Sequence, residues 1–202
     1  MNHDLWSLVR ILTNSAITST PIRVLRELER QGKRRLPDPV QRQVASRRTP
    51  RLKTLRFVYR WLCSEHLTRH KGQWVINSFL PPFPSPAFER MFTNLLSGRH
   101  LSPVSAYLAI TAECPYNCWH CSLKNRRSGH MPTETWLAAI EQLHQLGCSV
   151  IGFTGGEPLW REDLATLIRA AHQGGATTIM YTCGARFLPE RITELKAAGL
   201  WG

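Results

Sequence analysis

Several classes of segment are missing from this 202-residue chain. No run of about 18 apolar residues occurs, so no transmembrane helix is expected. The opening Met1-Asn2-His3-Asp4 lacks the basic-then-apolar signature of a secretion signal. Acidic residues are scarce: 14 Asp and Glu stand against 26 Lys and Arg, a formal net charge of +12. The excess is uneven, because residues 1–73 hold 16 Lys/Arg against 5 Asp/Glu, whereas residues 74–202 hold 10 against 9. Cysteines number only six, and three of them fall within eight residues.

Those three, Cys114, Cys118 and Cys121, form a C-x3-C-x2-C cluster, and Gly155-Gly156-Glu157-Pro158 follows at the end of the next apolar run. Three thiolates on one short loop can hold an iron–sulfur cluster and leave one iron without a protein ligand. An open metal position is where chemistry takes place, as in catalytic rather than structural zinc sites. A competing reading takes Cys114, Cys118, Cys121 and His120 as a Cys3His zinc set. Because His120 and Cys121 are adjacent, simultaneous tetrahedral ligation by both is awkward.

The loop Cys114-Pro115-Tyr116-Asn117-Cys118-Trp119-His120-Cys121, preceded by the strand-like Tyr107-Leu108-Ala109-Ile110-Thr111, resembles the radical S-adenosylmethionine (radical SAM) superfamily. The resemblance implies that Cys114, Cys118 and Cys121 ligate a [4Fe-4S] cluster whose fourth iron is chelated by the methionine end of S-adenosylmethionine. It implies that Gly155, Gly156 and Glu157 seat the methionine amino group and that His120 contacts the adenine. Glycines permit close backbone approach, Glu157 offers a carboxylate to an ammonium, and Pro158 fixes the turn that follows. The implied activity is reductive cleavage of the cofactor to a 5′-deoxyadenosyl radical that abstracts hydrogen from an unidentified substrate, a peptide or a cofactor precursor. A flavodoxin- or ferredoxin-like electron donor is implied as well. Reduced cysteines that hold a metal suit the cytoplasm, where disulfides rarely persist.

Around the motifs, strand and helix signals alternate, the pattern of a parallel sheet with outer helices. Strands are expected at Val104–Thr111, Ser149–Thr154 and Thr177–Thr182. Helices are expected from Pro132-Thr133 to Gly147, over Asp163–His172, and from Pro189 to Ala198. Leu200-Trp201-Gly202 reads as the beginning of a fourth strand. The expected fold is therefore α/β: a partial (β/α) TIM-like barrel, truncated after about three βα units, with an α-helical basic N-terminal extension. The resemblance implies six such units, so the chain is expected to be a fragment, or else to be completed by a partner. Cys183, expected near the cofactor face, could have a role there but reads first as a small residue tolerated after the third strand, and Cys63 and Cys148 read as buried structural residues.

The organisation expected is a basic, partly helical extension over residues 1–73, a proline-containing lead-in over 74–103 and an incomplete radical SAM core over 104–202. Within the extension, helices are expected at Leu5–Leu12 and Thr54–His70, with Gln31–Arg51 as a polar linker. Ser85–Leu96 is expected to form a short helix that packs against the barrel exterior. Basic residues beside Phe57, Tyr59 and Trp61 could bind nucleic acid by phosphate neutralisation and stacking. The rivals to the radical enzyme are thus a basic nucleic-acid-binding module with a structural zinc, and an inert truncated remnant.

Overall fold

A computed structural model describes residues 13, 15–30, 65, 67–96, 103–123, 125 and 131–202. The chain divides into two units, Met1–His100 and Leu101–Gly202. In the first, helix α1 (Ser15–Arg30) packs on helix α2 (Pro86–Leu96), burying Thr20 and Val24, and Arg23 pairs with Glu89. Strands β1 (Thr68–His70) and β2 (Gln73–Val75) form a hairpin in which Thr68 faces Val75 and His70 faces Gln73. Its turn, Lys71-Gly72, has φ of 48° and 78°, the two positive values that a tight hairpin turn demands. Phe83 exchanges backbone bonds with Trp74 and is fully buried, its ring against Phe88. The Ser85 hydroxyl caps α2 by accepting from the Phe88 N–H at 3.1 Å.

One expectation for this unit needs correcting, and one of its helices was not anticipated. The helix expected over Thr54–His70 does not reach His70, because Thr68–His70 pairs as a strand once the Lys71-Gly72 turn brings β2 alongside. Helix α1 was not anticipated, since Pro21 and neighbouring β-branched residues argue against one. The four-residue spacing of Thr20 and Val24 gives it a buried stripe, and packing on α2 overrides propensity. Leu5–Leu12, Gln31–Arg51, Phe57, Tyr59, Trp61 and Cys63 lie outside the described residues.

The second unit is built on three parallel strands, β3 (Ser105–Thr111), β4 (Val150–Gly155) and β5 (Thr177–Met180), with β4 in the middle. Ala106 pairs with Ile151 and Ile151 with Thr178; Leu108 pairs with Phe153 and Phe153 with Met180. Period-two alternation puts Ala106, Leu108, Ile110, Ile151 and Phe153 on one face, where they form the core with helices α3 (Thr133–Leu146), α4 (Leu164–Gln173) and α5 (Pro189–Ala197). The opposite face carries Tyr107, Gly152 and Ile179 in register. A Cβ at Gly152 would lie 2.5 Å from Cδ1 of Tyr107, so the missing side chain makes room for that ring. Cys148 is buried as expected, and its thiol donates to the Val150 carbonyl at 3.2 Å.

All three βα units fall within two residues of the sequence reading. Only β5 stops clearly short, at Met180, because Thr182 and Cys183 turn away to meet a carboxylate on the preceding loop. Beyond β5, the Trp201 N–H donates to the Thr178 carbonyl at 3.0 Å and the Met180 N–H to the Gly202 carbonyl at 2.9 Å. The last residues thus begin to pair along the free edge of the sheet. No helix among the described residues is long and apolar enough to cross a membrane.

Phe153 sits at the centre of the middle strand with no exposed surface. Phe153→Ala is expected to destabilise the second unit by about 3–5 kcal/mol, read as a lower urea midpoint in chemical unfolding.

Candidate functional site

Parallel strands bring the loops that follow them to one end of the sheet, and both sequence motifs lie there. The loop after β3 carries Cys114, Cys118 and Cys121, all free thiols and all exposed. A turn closes between the second and third, with the Cys121 N–H donating to the Cys118 carbonyl at 3.2 Å. His120 is exposed beside Trp119, the two rings edge to face at 5.1 Å. Trp119 is 87% exposed, an unusual position for a residue of that size.

The loop after β4 is laced to the root of the cysteine loop. The Gly156 N–H donates to the Thr111 carbonyl and the Glu157 N–H to the Glu113 carbonyl, each at 2.7 Å. Such closeness explains the glycine pair. Gly155 has φ of +132°, and a Cβ there would strike the Thr111 carbonyl; a Cβ on Gly156 would strike that of Glu113. The two motifs, some three dozen residues apart in sequence, are joined backbone to backbone one residue before Cys114.

Glu157 is fully buried. Its Oε1 accepts from the Leu159 N–H at 3.0 Å and the Thr182 hydroxyl at 2.6 Å, and its Oε2 accepts from the Cys183 N–H at 2.8 Å and from the Cys183 thiol. Burial pushes this carboxyl up, but the Cys183 thiol, the Thr182 hydroxyl and the two amides more than offset that and hold it below the usual value. The Cys183 thiol shifts the other way, raised by desolvation and by its bond to Glu157. Cys183 is therefore more than a small tolerated residue, because it supplies two of the four donors to a buried charge. Pro158, also buried, opens the 3-10 turn Pro158–Trp160 that Glu157 caps.

A charged pair lies at the far end of that turn. Arg161, 7% exposed, grips Asp163 with Nε on Oδ1 at 2.6 Å and Nη2 on Oδ2 at 2.8 Å. Burial raises the Asp163 carboxyl, yet Arg161 and the Thr133 hydroxyl together lower it below its ordinary value. Sequence reading passed over Arg161, Asp163 and Thr182. The signal for the first two was present: opposite charges two residues apart between a Gly-Gly-Glu-Pro turn and an apolar helix.

Among the described residues, no three His, Cys, Asp or Glu side chains converge at metal-binding distance. The chemistry of the donor set, three unpaired and accessible thiols on one loop, nevertheless suits a thiolate-held iron–sulfur cluster.

Residues 108–201 match the family model described as the Radical SAM superfamily. A PqqA peptide cyclase of Ruegeria pomeroyi is 34% identical over 102 residues, which is 49% of this chain. The chain spans only 27% of the length of that relative. Two solved structures also resemble it: BtrN in complex with AdoMet and 2-DOIA, and selenomethionine BtrN in an open conformation. They share 24% and 25% identity, each covers 48% of this chain, and 42% and 46% of their own lengths are matched, both with a TM-score of 0.44.

The lowered value of Glu157 fixes the sign of its pH dependence. A carboxyl depressed by folding contributes its full stabilisation above its ordinary 4.5 and loses it as pH falls through the folded value. Glu157→Gln is expected to cost about 1–3 kcal/mol at pH 7, because its amide turns donors toward donors. That cost should shrink as urea unfolding is repeated at progressively lower pH below 4.5.

Proposed function

We propose that residues 104–202, of which 108–201 match the Radical SAM superfamily model, form the first part of a radical SAM catalytic domain. In this reading the domain is a partial (β/α) TIM-like barrel preceded by a basic extension. Cys114, Cys118 and Cys121 hold a [4Fe-4S] cluster as thiolates and leave one iron for S-adenosylmethionine. The chemistry such a pair supplies when bound is reductive cleavage of S-adenosylmethionine to a 5′-deoxyadenosyl radical for hydrogen abstraction.

The chain's own residues bind and orient. Gly155, Gly156 and Glu157 seat the methionine end of the cofactor. Since the Glu157 carboxylate is occupied by four protein donors, contact with the ammonium falls to the backbone of the glycine pair. Glu157 holds that backbone in shape from beneath, and Pro158 sets the direction in which the chain leaves. His120, exposed and adjacent to the third cysteine, contacts the adenine.

The observation that carries this reading is the lacing of the two loops. Hydrogen bonds from Gly156 to Thr111 and from Glu157 to Glu113 keep a glycine turn at the root of a loop with three free thiols. Likeness to a PqqA peptide cyclase, 34% over 102 residues, supports a peptide substrate. A flavodoxin- or ferredoxin-like donor would supply the electron. Free, accessible thiols are maintained in a reducing compartment, which supports a cytoplasmic setting.

Anaerobic reconstitution with iron and sulfide tests the proposal. The chain should take up one four-iron cluster, and the electron paramagnetic resonance signal of the reduced form should shift on adding S-adenosylmethionine. Cys118→Ala should lose most of the iron. Stoichiometric zinc in place of iron, or iron content that survives Cys118→Ala, would sink the assignment.

A further inference from the structure

We infer that Arg161 is a positioning residue that clamps the two ends of the cysteine loop, an inference that rests on reading this loop as the cluster-binding one. The loop leaves the sheet after Thr111, one residue past Ile110, and returns at Met131, just ahead of α3. One guanidinium reaches both ends. Nη1 donates to the Ile110 carbonyl at 2.8 Å and Nη2 to the Met131 carbonyl at 3.1 Å. The same group is held by Asp163, which in turn accepts from the Thr133 hydroxyl at 2.6 Å, in the first residue of α3.

Local backbone geometry makes the outgoing end available. Pairing of β3 with β4 runs from Ala109–Thr154 directly to Thr111–Gly155, so Ile110 is the extra residue of a bulge. A bulged residue falls out of the ladder, and its carbonyl needs another donor. Arg161 supplies it. The carbonyls of Ile110, Thr111 and Glu113 are thus taken in order by Arg161, Gly156 and Glu157, all from the one turn after β4. Arg161 is anchored in its own right, since its N–H donates to the Pro158 carbonyl at 3.0 Å and its carbonyl accepts from Arg191 at 2.7 Å.

General stability is a poor explanation for such a group, because a buried ion pair is frequently no better than apolar packing of the same volume. Fixing the span between two chain ends is a task that does need it. A planar fork with five donors can bridge two carbonyls and a carboxylate at once, whereas a lysine ammonium carries three donors on a point charge. Fixing the loop's ends narrows the conformations from which its three thiolates must converge on one cluster, so less ordering remains to be done when the cluster binds.

Hydrogen–deuterium exchange on the metal-free chain, paired with iron release to a chelator after reconstitution, tests the clamp. In Arg161→Lys, amides of residues 112–123 should exchange several-fold faster while those of β4 and α4 keep parental rates, and iron should leave several-fold faster. Thr133→Val removes only the hydroxyl bond to Asp163 and should move both readouts the same way, more weakly. It decides the matter if Arg161→Lys does not fold. Loop exchange equal to the parent, acceleration spread evenly over the second unit, or unchanged iron release would overturn the inference. Should the parent bind no iron, the cluster reading fails by itself. The exchange pattern then decides the clamp alone: a change confined to 112–123 upholds it, and parental rates overturn it.

Discussion

A carboxylate wholly removed from water must find donors for both oxygens, and the loops of the second unit are arranged around that demand. Glu157 meets it with donors from two places: the Leu159 amide in its own turn, and Thr182 and Cys183 beyond β5. The end of the third strand is therefore bent toward the end of the second. The backbone of the same residue donates to Glu113, which bends the root of the cysteine loop in from the other side. One residue on the central strand's loop thus joins the loops of both neighbouring strands.

Four residues lie between Pro158 and Asp163, and one of them, Arg161, is a second buried charge that reaches the Ile110 carbonyl. The 3-10 turn Pro158–Trp160 is the rigid spacer between them, capped at its start by Glu157 and followed by the arginine. A negative group on one side organises β5's loop, and a positive group on the other reaches the two ends of the cysteine loop. Glycines at 155 and 156 are required because the chain, on its way to these anchors, must pass in contact with the carbonyls of Thr111 and Glu113. Substituted at either position, the turn could not stay where both charges need it.

Regular elements of the second unit were largely legible in the sequence. Short apolar runs closed by turn signals marked Ser105–Thr111 and Val150–Gly155, and helical spacing of Trp136, Ile140 and Leu143 marked α3. Their signals are local, so reading along the chain finds them. The first unit was harder. Pro21 obscured α1, whose formation depends on contact with a helix more than fifty residues on, and β1 appeared to prolong a helix because Thr68–His70 shows its partner only across the Lys71-Gly72 turn. Cys183 was undervalued for the same reason: nothing near it in sequence is acidic, and its carboxylate partner lies 26 residues back.

Sequence alone determined the chemical inventory and its spacing: three thiols within eight residues, a glycine pair followed by a buried-capable acid, and alternating strands and helices that carry both motifs to one end of a sheet. Spacing along a chain is set covalently, so it needs no fold to be read. Tertiary structure decided what each polar group does. Glu157 reads in isolation as an acceptor for a cationic ligand, but packing surrounds it with the chain's own donors; nothing along the chain links Arg161 to Ile110, but a bulge there leaves a carbonyl for it to satisfy. Burial and hydrogen-bond saturation are properties of what surrounds a residue, and those surroundings are assembled from strands and loops far apart in sequence.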